Sequence, residues 1–171
     1  MKIRLNTLHE GLNEIHFDTS IGELGFVDDR EKNFLFPKEI SIDVAIQKIS
    51  DKYHIKSKIT TTAHYVCDRC LDEFDQLLEG FFQLYYSKSI RHEIDDDDEY
   101  RVLSETAEEI DIKDSVIESL LLSIPMKHLC HNECRGLCPT CGANLNYEKC
   151  NCEKEKIDPR WEKLKNLLIN D

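Results

Sequence analysis

The chain has 171 residues, 40% of them hydrophobic and 33% charged, with eight cysteines and a net charge of −12. That length and balance suit one domain, or one domain with a small appended module, and exclude global disorder. No stretch approaches the roughly 18 apolar residues of a membrane span, and Met1 to Glu10 lack an apolar run behind their positive charges, so a cytoplasmic, reducing location is expected, where disulfides are rare and thiolate–metal sites common.

In chain order, short strands are predicted at Ile3 to Leu8 and Glu14 to Phe17, with turns at Gly22, Gly25 and Asp28-Asp29. Ile40, Ile42, Val44 and Ile46 then alternate with Ser41, Asp43, Ala45 and Gln47, the period of a strand with one buried face. Ile55, Ile59, Ala63 and Tyr65 continue that parity beyond Ser50-Asp51-Lys52, with Ser57 and Thr61 as weaker members, which predicts an antiparallel hairpin. Phe81 to Tyr86 is aromatic-rich and predicts a strand packed on both faces.

Glu93 to Glu99 carries six carboxylates in seven positions. It self-repels and reads as a solvated loop, because a calcium loop spaces its ligands and turns on glycine. The acidity is uneven. From Met126 onward eight Lys and Arg face seven Asp and Glu, a balance of +1, which leaves −13 on residues 1–125. That part repels a phosphate backbone and suits a basic partner.

From Asp111 the period becomes helical: Ile112, Val116, Ile117, Leu120, Leu121 and Ile124 share a face, Asp111 can cap the start, and Pro125 stops the run. Strands followed by a helix, without repeated alternation, predict an α+β domain over residues 1–125: an antiparallel sheet or partly closed barrel with one covering helix, 111–124. Residues 126–171 form a cysteine-rich module ending in a short helix, 159–169. Asp158-Pro159 open that helix, and Trp161, Leu164, Leu167 and Leu168 form a stripe that docks it on the protein.

The cysteines carry the chemistry. Cys67 and Cys70 follow the second hairpin strand; Cys130, Cys134, Cys138, Cys141, Cys150 and Cys152 cluster downstream. A C-x-x-C turn brings two sulfurs to one metal, and in Cys138-Pro139-Thr140-Cys141-Gly142 the proline pre-sets that turn while the glycine lets the backbone bend. Zinc, as one ion or two, is the expected cofactor. One pairing sets Cys67, Cys70, Cys138 and Cys141 on one ion and Cys130, Cys134, Cys150 and Cys152 on another; a compact alternative confines a single ion to the six C-terminal cysteines. Cys67 and Cys70 end a strand instead of opening a helix, which argues against a redox dithiol, and an all-cysteine set closes the position a catalytic zinc keeps for water. His128 and His131 beside Cys130 could replace a cysteine ligand, but read as surface histidines. No nucleophile motif or phosphate loop is present.

Cys67-Asp68-Arg69-Cys70-Leu71-Asp72-Glu73-Phe74, Leu120-Leu121-Leu122-Ser123-Ile124-Pro125, Cys134-Arg135-Gly136-Leu137-Cys138-Pro139-Thr140-Cys141-Gly142-Ala143-Asn144-Leu145-Asn146, Cys150-Asn151-Cys152 and Asp158-Pro159-Arg160-Trp161 stand in that order. Together they resemble the YceD family of large ribosomal RNA subunit accumulation proteins, over residues 67 to about 168. The resemblance implies a role in accumulation of large-subunit (23S) ribosomal RNA, hence ribosome assembly, and no enzymatic activity. The expectation is therefore a non-catalytic binding factor whose partner is a ribosomal protein or large-subunit precursor, with ribosomal RNA reached indirectly, and with neither membrane nor small-molecule substrate. A direct RNA-binding zinc protein is the alternative. It would use Arg135, Lys149, Lys154, Lys156, Arg160, Lys163 and Lys165, the basic residues of the near-neutral module. A thiol redox enzyme stands third.

Overall fold

Period-two alternation of apolar side chains builds the main sheet of this computed structural model, which describes residues 1–25, 36, 38–88 and 100–152. The strands are β1 (Lys2–Arg4), β2 (Gly11–Thr19), β3 (Ile40–Ile49), β4 (Lys52–Val66), β5 (Glu73–Ser87), β6 (Tyr100–Val102) and β7 (Glu109–Asp111), and the helix α1 is Lys113–Leu122. Five strands lie in the order β2-β3-β4-β5-β6, antiparallel except for the parallel β5–β6 pair, while β1 and β7 form a separate antiparallel ribbon. Among the described residues no ladder joins β2 to β6. The fold is α+β, mostly sheet with one helix, and six of the eight cysteines follow that helix.

The predicted hairpin is present: β3 and β4 pair from Ser41↔Thr60 to Ile49↔Lys52, and Ser50 turns the chain with a left-handed φ of 51°. Ile40, Ile42, Val44 and Ile46 point inward together with Tyr53, Ile55, Ser57, Ile59, Thr61, Ala63 and Tyr65, all buried. Each fully buried aliphatic side chain here contributes about 1.5–3 kcal/mol, so this one face dominates the stability of the sheet.

Three local expectations change. Ile3 to Leu8 is not one strand: β1 stops at Arg4 and a 3-10 turn spans Leu5–Thr7, with the Thr7 hydroxyl donating to the Arg4 carbonyl at 2.8 Å. β5 is packed on one face only, with Leu84 and Tyr86 buried and Phe81 64% exposed, because no described residue covers the outer side of the sheet there. The helix is shorter than 111–124. Asp111 accepts the Lys113 backbone N–H at 3.0 Å, yet Ile112 holds the N-cap position, and Leu121 sits at the exposed flank of the buried stripe formed by Ile112, Val116 and Leu120. The turn signal at Asp28-Asp29, the acidic run Glu93 to Glu99, the basic residues beyond Cys152 and the helix expected at 159–169 lie outside the described residues. Among those that are described, no helix is long and apolar enough to cross a membrane.

α1 approaches the sheet where β5 has no side chain. A Cβ added to Gly80 would stand 2.8 Å from the Ser119 hydroxyl and 3.2 Å from its carbonyl oxygen. Gly80→Ala is therefore expected to destabilise the protein by about 1–3 kcal/mol through overpacking. Urea unfolding checks this, and Ser119→Ala in the same chain should recover part of the loss.

Candidate metal centre

The first sulfur group grows from the loop between β4 and β5. Val66 still pairs with Glu73, so the six residues between them must turn within one ladder rung. They do so through two backbone bonds, Leu71 N–H to the Cys67 carbonyl at 3.0 Å and Cys67 N–H to the Asp72 carbonyl at 2.8 Å, and Leu71 takes a left-handed φ of 61° to close the turn. Both thiols, Cys67 and Cys70, are buried by this fold-back.

The chain returns to that loop after α1. Asp68 donates its backbone N–H to the His128 carbonyl at 2.8 Å, and its carboxylate accepts the His128 N–H at 2.8 Å. The His128 ring stacks on Tyr65 with centroids 4.2 Å apart. Arg69 then holds the following turn from both ends: its guanidinium donates to the Cys134 carbonyl at 2.9 Å and its own carbonyl accepts the Leu137 N–H at 3.0 Å. Cys130 is thereby set 3.6 Å from Cys70, and Cys134 3.8 Å from Cys67.

The second group is local. Cys138 and Gly142 close a turn, Gly142 N–H to the Cys138 carbonyl at 2.9 Å, with the Cys138 N–H on the Ala143 carbonyl at 2.8 Å and Gly142 at φ 74°. Cys150 and Cys152 complete it. Within each group, Cys67, Cys70, Cys130 and Cys134 or Cys138, Cys141, Cys150 and Cys152, the sulfurs all lie within 4.8 Å of one another. All eight are free thiols. This grouping departs from the pairing of Cys67 and Cys70 with Cys138 and Cys141, and from one site confined to the six C-terminal cysteines. The cause is the Asp68–His128 and Arg69 bonding, which delivers Cys130 and Cys134 to the first loop and leaves the Cys138 turn to find its partners nearby.

The electrostatics are those of sulfurs crowded together. Burial pushes the Cys67 thiol up, but the backbone N–H groups of Cys130, Arg69 and Cys70 outweigh it and bring it down to about 6. Burial, with the sulfurs of Cys67, Cys130 and Cys134 alongside, holds Cys70 far above the ordinary thiol range. The second group repeats the contrast: the N–H groups of Cys141 and Thr140 bring Cys138 down to about 6, while the neighbouring Cys141 sulfur and then burial push Cys152 up to about 12. Without a cation the four sulfurs of a group cannot all ionise. The donor set fits a tetrahedral dication: metal–sulfur bonds of about 2.3 Å place sulfurs roughly 3.8 Å apart. Donors to sulfur are present as well, from the Cys130 N–H to Cys67 at 3.4 Å and from the Asn146 amide to Cys134 at 3.3 Å. Such bonds orient ligands and temper their charge.

Neither histidine beside Cys130 joins a sulfur group. His131 is exposed and offers its backbone carbonyl to the Cys134 N–H at 3.1 Å. His128 is not a surface residue in its ring: Nε2 is buried with no hydrogen-bond partner, and the ring serves to seat the module on Tyr65. Sequence reasoning missed Asp68, Arg69, His128, Asn144 and Asn146 as positioning residues. Asn144 donates to both oxygens of Asp72, at 3.2 and 3.0 Å, and no periodicity or spacing announces such long-range pairs.

The fold and site define a class: a one-faced sheet whose single described helix leads into two closed four-cysteine groups, the first of them completed by the sheet's own β4–β5 loop. Residues 55–168 match the family described as large ribosomal RNA subunit accumulation protein YceD, and the chain belongs to the YceD family. A Mycobacterium tuberculosis protein described as uncharacterized is 30% identical over 132 residues, 75% of this chain and 62% of that one. A Mycobacterium leprae protein is 27% identical over 136 residues, 77% of this chain and 60% of its own length. The chain thus spans less than two thirds of these mycobacterial relatives. The chloroplastic large ribosomal RNA subunit accumulation protein YCED homolog 1 of Arabidopsis thaliana is 41% identical over 59 residues, 34% of this chain and 18% of that protein. No solved structure matches the chain.

Gly136 tests the seating of the module. Its φ is 72°, and an added Cβ would lie 3.0 Å from the Arg69 carbonyl oxygen that the Leu137 N–H needs. Gly136→Ala is expected to cost about 1–3 kcal/mol through backbone strain. Thiol labelling read by mass spectrometry should show Cys67 and Cys70 reacting faster than in the unaltered chain, whereas Gly142→Ala, strained by its φ of 74° but meeting no atom within 4 Å, should disturb only the second group and leave those two cysteines protected.

Proposed function

We propose that this protein is a zinc-stabilised, non-catalytic ribosome assembly factor that supports accumulation of large-subunit (23S) ribosomal RNA by binding a ribosomal protein or an assembly intermediate in the cytoplasm. The observation that carries this reading is the pair of closed four-sulfur groups in a YceD family chain. Each group offers four thiolates and no further donor, so zinc held there has no open position for water or substrate and serves as a crosslink. Cys67, Cys70, Cys130 and Cys134 would hold one ion, and Cys138, Cys141, Cys150 and Cys152 the other. Residues 126–171 then act as a module whose folding draws on the metal, since a segment of that size buries little core alone.

The charge supports a protein partner over direct contact with RNA. Residues 1–125 carry −13, and binding to phosphates relies on Lys and Arg displacing condensed counterions. A basic ribosomal protein meets the opposite potential and is steered toward it.

Metal analysis of the protein purified without added zinc is expected to find two zinc ions per chain. Cys70→Ser should remove one. Cys138→Ser with Cys141→Ser should remove the other, expose the chain beyond residue 137 to proteolysis and leave the sheet protected. Full reactivity of all eight native thiols with no bound metal would refute the zinc assignment. For the cellular role, deleting the protein is expected to lower large-subunit relative to small-subunit ribosomal RNA. An unchanged ratio would defeat the reading, and a salt-steep gel shift with purified ribosomal RNA would move it to direct RNA binding.

A further inference from the structure

The two sulfur groups differ in what a reagent from solvent can reach. Cys67, Cys70 and Cys134 are 0%, 2% and 3% exposed and form a small buried cluster, with Phe74, Leu129 and the half-buried Cys130 packed against it. In the second group Cys138 is buried, Cys150 and Cys152 are half-buried, and Cys141 is exposed. A Cβ added to the neighbouring Gly142 would meet no atom within 4 Å, so the turn that carries Cys141 looks out on open space.

The backbones differ as well. Cys67 directly follows β4 and donates its N–H to the Asp72 carbonyl, while the chain that brings Cys130 and Cys134 is pinned by Asp68 and Arg69. Those four sulfurs cannot shift far without loosening the seat of the module. Cys138 and Cys141 ride instead on a turn of five residues, and Cys150 and Cys152 on a segment that is neither helix nor strand. A disulfide needs its sulfurs about 2.05 Å apart. From within 4.8 Å of one another, the sulfurs of the second group close that gap by local movement of side chains and turn.

We infer that the second group is an oxidant-sensitive modification site: hydrogen peroxide converts Cys138, Cys141, Cys150 and Cys152 into two disulfides, while Cys67, Cys70, Cys130 and Cys134 stay reduced. The inference deepens the zinc reading and rests on it in one respect, that an ion held by these four sulfurs is released as they oxidise. The Cys141 sulfur attacks one peroxide oxygen, the O–O bond breaks, and the departing hydroxide takes a proton from solvent to become water. Cys141 is left as a sulfenic acid. A second sulfur of the group then attacks Cys141, the S–O bond breaks, and that hydroxide also leaves as water with a proton from solvent. A second peroxide oxidises the remaining two sulfurs in the same way. Four thiolates thus give up four electrons, two peroxides and four protons become four waters, and no thiolate remains to hold a dication. An accessible sulfur beside others that can resolve it is the setting in which cysteines oxidise reversibly, and the buried first group lacks the access.

Hydrogen peroxide added to the purified full chain is the test, with released zinc read by a chromophoric chelator and the state of each cysteine by differential alkylation and mass spectrometry. Loss of one zinc ion of the two, disulfides confined to the second group, and recovery of both thiols and metal on adding dithiothreitol and zinc are expected. In Cys138→Ser with Cys141→Ser, which lacks the reactive turn, the same peroxide should release no zinc. Circular dichroism checks that this variant keeps its sheet; if it does not, the alkylation map of the unaltered chain decides alone. Loss of both ions together, disulfides in the first group, sulfinic acids in place of disulfides, or no oxidation of any sulfur would each overturn the proposal. Metal analysis before peroxide separates it from the zinc reading. If the untreated chain binds no zinc, that reading fails, and disulfides confined to the second group still establish the modification site. If two ions are bound and peroxide strips both at one rate, only the selective oxidation fails.

Discussion

Asp68 and His128 stand 60 residues apart and bond reciprocally, N–H to carbonyl in one direction and N–H to carboxylate in the other. The position of everything after the helix follows from that exchange. The loop that contains Asp68 is only six residues long, yet its polar residues each take a different segment of the returning chain. Asp68 takes His128, Arg69 takes Cys134 and Leu137, and Asp72 takes Asn144. Each such bond contributes on the order of 1 kcal/mol net, and bonds to the charged groups somewhat more. Individually they are modest; as a set fixed to one rigid hairpin they leave the module one seat.

The two sulfur groups differ in what supports them. The first needs the whole fold, since half of it rides on the sheet and half on the chain that returns to the β4–β5 loop after α1. Cys67, Cys70 and Cys134 are almost wholly buried. The second is closed by a turn of five residues and a nearby strand of sequence, with Cys141 exposed. Burial and charge set opposite demands within each group: amide donors favour one thiolate, and the accumulated charge of that thiolate disfavours its neighbours. A dication resolves the conflict for all four sulfurs at once, which is why a cluster of this density is suited to metal and poorly suited to remain a set of thiols.

Much of the sheet was legible in the residues. Ile40 to Ile46 and Ile55 to Tyr65 expose their parity because one face is apolar and the other is not, and the register of β3 and β4 follows from the short turn at Ser50 and Asp51. The brief elements were not legible. β1, β6 and β7 have three residues each, too few for any period to emerge, and the parallel setting of β6 depends on tertiary packing. Phe81 misled because aromatic residues favour strands whichever way they face. The type and spacing of the eight cysteines point to clustered sulfurs, but not to how they divide. That division depends on Asp68, Arg69 and His128, whose pairing spans some sixty residues and leaves no local trace.

The reach of the first sulfur group also bears on how the chain is made. Cys67 and Cys70 leave the ribosome well before Cys130 and Cys134, and at about 5–20 residues per second that interval is roughly 3–12 s. Once β5 has emerged, β3, β4 and β5 can pair in microseconds to milliseconds, before Cys130 and Cys134 arrive. For those seconds the nascent protein displays a growing sheet with the two thiols of Cys67 and Cys70 at the end of β4, open to oxidants and to other cysteines.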